Sequence, residues 1–283
     1  MIADDGELKA WIGRETLAQD VLTTGQVQGL LATTTSSESK PSPGSAAPLL
    51  SHWLSFLAYP PVDGLGPDGH PHRGGFLPPV ALPRRMWAGG ALEFVRPLRI
   101  GEPLERRSRI GDVQMKSGRS GDLVLVSIDH DISDRQGLVL RERQDLVYRA
   151  APDPSVPAPE GAPAPCNEAW RRVFKGTSVV LFRYSALTFN AHRIHYDRPY
   201  ATGVEGYPGL VVHGPLIATL LLQELCAQRP DLDVASFTFR ALRPIFDDGD
   251  FDLCGSFGPD GAARLFARDH AGTLAMEASA TLR

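Results

Sequence analysis

Acid–base chemistry needs side chains that hold or pass a proton near neutral pH, and one short stretch concentrates them. Asn190, His192, His195 and Asp197 fall within eight residues, and His213 follows eighteen residues after His195. Free imidazole titrates near about 6.5, so His195 suits general acid–base work. Asp197 stands directly before Arg198 and Pro199. That is the order of a helix cap with proline in the first turn, and capping is the preferred reading over catalysis. His192 and His213 fit a supporting role or a purely structural one.

Directly after His213, Gly214 and Pro215 open the most apolar run of the chain, with Leu216, Ile217, Leu220, Leu221, Leu222, Leu225 and Cys226. A helix over Pro215–Ala227 would be apolar on most faces and therefore buried on most faces. Gly214 reads as its N-cap and Pro215 as its first helical residue, where a missing N–H costs nothing. The amides of Gly214, Leu216 and Ile217 are expected to point free at the helix start. With the helix dipole they favour negative charge, such as an oxyanion or a thioester carbonyl gaining charge during reaction. Water or a loop carbonyl capping the helix end is the alternative.

The elements that must position this stretch read as helix then strands, twice over. Residues 8–31 look helical at their ends, with Thr23 or Thr24 as a cap before QVQGLLA. TTTSSESKPSPGSAAP, poor in hydrophobics, reads as a mobile surface loop. PLLSHWLSFLAYPP is apolar nearly all round and is expected to be a buried helix ended by Pro60 and Pro61. The Gly/Pro/His loop that follows contains His70 and His72, which invite a metal reading. No acidic or cysteine partner lies at a recognisable ligand spacing, so no metal is expected and the loop reads as cover over a groove. WAGGALEFVRPL, PLERRSRIGDVQMK, DLVLVSIDHDISD and GLVLRERQDLVYR then succeed one another as strands. Val124, Val126, Ile128 and Ile132 keep to the even positions of the third, between polar neighbours, the period of a half-buried antiparallel strand. Residues 151–165, rich in proline, read as an extended linker. Past the apolar helix, residues 234–242, 251–257, 262–269 and 274–282 form a second meander.

One helix wrapped by an antiparallel meander is an α+β hotdog, and two tandem copies make a double hotdog. The halves are expected at 1–150 and 166–283, with catalysis in the second and the first shaping the substrate pocket. A chain of 283 residues suits two such units.

The hydrophobic and charged fractions, 42% and 22%, are ordinary for a globular chain, and the net charge is −4 with no block of like charge. Nucleic acid and membrane surfaces are therefore not expected partners. Cys166, Cys226 and Cys254 lie far apart, outside any CxxC pair, which points away from a disulfide framework and toward a reducing cytoplasm. The N-terminus lacks the pattern of a signal peptide, and no apolar run reaches the roughly 20 residues of a membrane span.

The run from Thr188 to His195, followed by His213 and Gly214, resembles the motif of MaoC-like hydratases and dehydratases. Their pattern is S-G-D-x-N-P-x-H, then a glycine-containing loop and an H-G pair opening the central helix. The whole stretch YSALTFNAHRIHYDRPYATGVEGYPGLVVHGPL is similar to the branch holding the mesaconyl-C4-CoA and itaconyl-CoA hydratases and the type 2 hydroxyacyl-thioester dehydratases. WAGGALEFVRPLRIGEPLERRSRI in the first half is similar to that branch too. The resemblance implies hydration of an enoyl-CoA thioester, with His195 and the residue at 190 as the acid–base pair and the Gly214 amide on the thioester oxygen. Position 190 departs from the pattern: it holds an amide, which orients but cannot accept a proton at neutral pH. His195 then carries the proton transfer, with Glu205 a weak candidate for a second carrier. Tyr184, His192, His213, Arg240 and Arg243 are candidates for binding substrate, either arginine by clamping a distal carboxylate. No cofactor is implied beyond the coenzyme A carried by the substrate, and a homodimer is compatible with the resemblance.

Three other functions share these residues. A 3-hydroxyacyl-thioester dehydratase of fatty acid synthesis would take a longer apolar acyl chain. A hotdog thioesterase would need a carboxylate on the central helix, where Glu224 is the only acid and lies far from Gly214. A non-catalytic acyl-thioester binding module would bind without turnover.

Overall fold

The computed structural model describes residues 5–35, 40–118, 121–151, 160–258 and 261–283. Residues 36–39, within the expected surface loop, and 152–159, within the expected linker, lie outside them.

Ten strands form one continuous sheet whose neighbouring pairs are all antiparallel. The first half supplies β1 (Glu15–Val21), β2 (Arg84–Phe94), β3 (Pro103–Gly118), β4 (Gly121–Asp134) and β5 (Gly137–Arg149). The second supplies β6 (Trp170–Phe174), β7 (Val234–Ala241), β8 (Phe251–Phe257), β9 (Ala262–Arg268) and β10 (Leu274–Leu282). Their order is β1-β3-β4-β5-β2-β7-β10-β9-β8-β6. The halves meet where β2 pairs with β7, Gly89 opposite Arg240 and Glu93 opposite Ser236. Gly89 makes this seam possible, since a Cβ there would fall 2.5 Å from the Phe239 carbonyl of β7, and Gly90 allows the close approach of β5, since a Cβ there would fall 2.6 Å from the Arg143 carbonyl. The chain is a double hotdog, as the order of its elements implied.

Helix α5 (Gly214–Gln228) packs against β7, β8 and β9. Leu216, Ile217, Ala218, Leu220, Leu221, Leu222 and Leu225 are all at most 3% exposed, so its all-round apolar pattern is matched by all-round burial.

The first half departs from expectation. Its helices are α1 (Asp5–Lys9) and α2 (Thr24–Thr34), and β1 runs between them, in a segment read as helical only at its ends. Thr23 caps α2 through a capping box with Gln26. The buried helix expected over residues 49–57 is instead a single 3-10 turn, Ser51–Leu54, flanked by Leu50 and Phe56 at positive φ. Side-chain bonds to the sheet explain this. Glu142 of β5, 4% exposed, accepts from Trp53 Nε1 at 2.8 Å and from Gln144 Nε2 at 3.0 Å, and lies 3.1 Å from His52 Nε2. The Phe56 amide donates to Asp20 Oδ2. These bonds pull successive residues in directions that no regular helix offers. The second half adds α3 (Ser178–Leu187), capped by Thr177, and α4 (Arg198–Gly203). Gly29 of α2 packs on Leu187 of α3, with a Cβ position 2.7 Å from Leu187 Cδ2.

Burial opposes ionisation of Glu142, but the charge and hydrogen bond of His52 hold its carboxyl down at about 2. Glu142→Ala should therefore cost about 3 kcal/mol or more, because Trp53 and His52 would be left buried without their acceptor. Urea unfolding measures it.

Candidate active site

His195 ends a 3-10 turn, Arg193–His195, between α3 and α4. The turn follows Phe189, a bulky residue at φ +47 and so a strained point in the loop. The Asn190 backbone N–H donates to the Ser185 carbonyl at 2.8 Å, and the side-chain Oδ1 accepts from the His192 backbone N–H at 3.0 Å. Asn190 thus staples the loop that carries both histidines. Asp197 caps α4 by accepting from the Tyr200 amide and holds Arg193 at 2.8 Å, as its position before Arg198-Pro199 implied.

His195 is 8% exposed, and its Nδ1 lies 2.7 Å from the Val211 carbonyl. A carbonyl only accepts, so Nδ1 carries the proton and Nε2 presents a lone pair. Burial lowers the His195 pKa to about 4, against the Val211 bond that raises it. The ring stacks on His213 with centroids 3.7 Å apart and planes within 16°. His213 caps α5, with Nε2 2.9 Å from Ser185 Oγ, and burial holds it far below the usual imidazole range. The stack therefore brings a neutral, basic imidazole to the head of the central helix.

At that head, Gly214 is the first helical residue rather than the cap, and Pro215 the second. Ile217 already donates to the His213 carbonyl at 3.1 Å. Its amide is thus spent, contrary to expectation, and Gly214 and Leu216 are the N–H groups ahead of the first intrahelical bond. A Cβ on Gly214 would meet nothing closer than the Trp87 carbonyl of β2, 3.9 Å away. Space therefore opens at the helix start, facing the first half. The Trp87 ring there lies 4.9 Å from Trp53 and 6.0 Å from Phe239.

The first half reaches the site through a loop that sequence reasoning took for cover. Asp68 Oδ2 lies 2.9 Å from His70 Nδ1, and the His70 ring sits 4.0 Å from that of His192. His192 in turn stands edge-on to His195 at 5.4 Å. The expectation that His70 lacks an acidic partner is therefore corrected: Asp68 is that partner, two residues away, and His192 completes a group whose ligand atoms lie within 4.8 Å of one another. His72 is outside this group. As it stands, a hydrogen bond links the carboxylate to His70. Burial opposes ionisation of Asp68, yet the His70 ring and amide hold it well below the usual range. Arg193 ties the loops together, its amide donating to the Asp68 carbonyl and its Nη1 to the Pro67 carbonyl. Gly69 has φ +87, and a Cβ on it would fall 1.8 Å from the Ala191 carbonyl. A cavity of about 530 Å³ opens beside the cluster, with Asp68, His70, Arg73, Arg84, Arg85 and Tyr200 in its wall.

Other candidates fall elsewhere. Tyr184 belongs to the core, 2% exposed with its ring 5.0 Å from His213, because it lies on the inner face of α3. The Arg240 side chain is 74% exposed and points to the outer face of β7, 3.9 Å from Glu277, since the buried positions of that strand are Phe237 and Phe239. Arg243 follows β7 and lies beside Gly161. Glu205 is engaged by Arg84 at 2.9 Å and by the Tyr200 hydroxyl at 3.1 Å. Glu224 is held by Arg172 and Gln228.

Residues 50–247 match the family model described as hydroxyacyl-thioester dehydratase type 2. The chain belongs to the type 2 hydroxyacyl-thioester dehydratase family. It is 44% identical over 271 residues to the mesaconyl-C(4)-CoA hydratase of Chloroflexus aurantiacus, covering 91% of this chain and 95% of that protein. It is 31% identical to the mitochondrial hydroxyacyl-thioester dehydratase type 2 of Schizosaccharomyces pombe, covering 72% and 75% of the two. Among solved structures, a MaoC-like dehydratase from Phytophthora capsici superposes with a TM-score of 0.72 at 15% identity over 99% of both chains, a likeness of fold. In this member of the family, then, both the histidines of the 190–195 loop and the loop of the first half converge on the head of α5.

The neutral imidazoles give stability a pH dependence. Unfolded histidine takes a proton near 6.5, folded His195 only near 4. Stability should therefore be full above pH 6.5 and fall as the pH drops toward 4, by about 3 kcal/mol from His195 alone. Urea unfolding at stepped pH should show this slope, and His195→Asn should reduce it. Gly69→Ala should force the two loops apart and lower the melting temperature by several degrees in a thermal scan.

Proposed function

We propose that this protein reversibly hydrates a short-chain enoyl-CoA thioester, with mesaconyl-C4-CoA or itaconyl-CoA, giving citramalyl-CoA, as the substrates of choice. The observation that carries the reading is the tautomer of His195. Its Nδ1–H is held by Val211, which leaves Nε2 as the basic nitrogen of a ring stacked on His213, the cap of α5. Addition of water to a double bond conjugated with a thioester needs a base for the water and a site for the charge that moves onto the carbonyl oxygen. His195 Nε2 supplies the first. The Gly214 N–H, with the dipole of α5 behind it, supplies the second. Asn190 keeps the loop in register. The reaction needs no cofactor, since coenzyme A arrives on the substrate. The 44% identity to a mesaconyl-C(4)-CoA hydratase over nearly the whole length of both chains supports the acyl group.

A 3-hydroxyacyl-thioester dehydratase of fatty acid synthesis is the second reading, favoured by the fungal mitochondrial relatives. Rates on mesaconyl, crotonyl and octenoyl thioesters separate the two, and preference for the longest chain would overturn the dicarboxylate. A reducing, cytoplasmic setting and a homodimer are compatible with this function. The three cysteines are free thiols, and no helix among the described residues is long and apolar enough to cross a membrane.

His195→Ala should lower kcat by about 100-fold or more, read from the loss of enoyl-thioester absorbance. Because the base must be neutral, kcat/KM for the wild type should fall on the acid side near pH 4 rather than near 6.5.

A further inference from the structure

A water being added to a double bond needs two acceptors. One takes the proton that leaves. The other holds the second O–H, so that the oxygen lone pair faces the carbon. His195 Nε2 is the first. The carboxylates and the amide oxygen near the site are already engaged. Asn190 Oδ1 accepts from the His192 amide. Asp197 caps α4 and holds Arg193. Glu205 holds Arg84 and Tyr200.

We propose that the first half supplies the missing acceptor: His70, oriented by Asp68, holds the reacting water opposite His195. This rests on the hydration reading given above. Asp68 Oδ2 fixes the proton of His70 on Nδ1, 2.9 Å away, and so leaves Nε2 with its lone pair. The ring is half-buried in the wall of the 530 Å³ cavity, where water can enter. It lies against His192, which stands edge-on to His195. Its loop is rigidly placed. The Gly66 amide donates to the His70 carbonyl at 2.7 Å, the Gly69 amide to the Gly66 carbonyl at 2.9 Å, and the Arg193 amide to the Asp68 carbonyl at 2.9 Å. Gly69 leaves no room for movement toward Ala191.

The step balances within these groups. As the water oxygen bonds to the β-carbon, one of its protons passes to His195 Nε2. The π electrons move to the α-carbon and the thioester oxygen. The second O–H remains intact on His70 Nε2 and becomes the product hydroxyl. His195 then returns its proton to the α-carbon, using the electron pair of the enolate, and ends neutral as it began. His70 gains no net proton. His70 is thus a catalytic residue and Asp68 a positioning residue.

The test compares wild type, His70→Ala, Asp68→Asn and the double variant on mesaconyl-CoA and crotonyl-CoA. His70→Ala should lose about 100-fold in kcat with KM within about threefold and an unchanged melting curve. Asp68→Asn should lose about tenfold in kcat, and the double variant should be no slower than His70→Ala, because the pair acts as a unit. Added imidazole should restore part of the turnover of His70→Ala, which a packing defect would not allow. Near-wild-type turnover in His70→Ala would overturn the proposal. So would additive losses without imidazole rescue. Activity of the wild type that disappears on chelation and returns with Zn²⁺ would also overturn it, making Asp68, His70 and His192 metal ligands. A wild type inactive on every enoyl-CoA would take down the hydration reading together with this one; an active wild type and an active His70→Ala would take down this one alone.

Discussion

Burial of α5 is the constraint from which the rest of the architecture follows. A helix with leucine on every side cannot lie on a surface, and each of its larger side chains gains about 1.5–3 kcal/mol only when water is removed from it completely. The strands of the second half, β7 to β9, curve around it to remove that water. The same burial decides its chemistry. Its N-terminal end reaches a half-exposed position at Gly214 and Pro215, and that end carries unpaired N–H groups and the positive end of the dipole. Hydrophobic packing and charge stabilisation are thus two results of one apolar run.

The second consequence is a low-polarity setting for the histidines. His195 and His213 are stacked face to face and nearly sealed. Two charged imidazoles at 3.7 Å would repel strongly there, and burial penalises even one. The pair is therefore neutral, and the Val211 carbonyl decides which nitrogen of His195 is basic. A carbonyl on the far side of the ring sets the chemistry of the near side.

What could be read from the sequence follows from how local each signal is. The long strands β3, β4, β5 and β10 announce themselves through alternation and turn residues, because a half-buried strand writes its face into every second position. α5 announces itself through composition, and His195 and Gly214 through a motif confined to one loop and one helix start. β1 and β6 sit at the two edges of the sheet, where partial exposure lets polar residues take inward positions and hides the alternation in the sequence. α3 could have been found from Val180, Leu181, Tyr184 and Leu187, which fall at helical spacing. The 49–57 segment could not. Its partner Glu142 is about ninety residues away, and an apolar run alone does not distinguish a helix from a pinned turn. Asp68 escapes notice, and His70 is set aside as a ligand, for the same reason: their meeting with His192 spans more than a hundred residues of chain, and spacing rules for ligands or dyads search only short distances.

The seam between β2 and β7 carries a consequence of its own. Two separate hotdog chains could pair such edges, but only at a concentration set by their dissociation constant. Here the pairing is intramolecular, and tethering by a single chain corresponds to an effective concentration on the order of millimolar. The groups at the head of α5 come from both sides of that seam, Trp87 and His70 from one, His195 and Gly214 from the other. Fusion therefore keeps a composite pocket assembled at any dilution, and frees each half to lose residues that a symmetric pair would have had to keep twice.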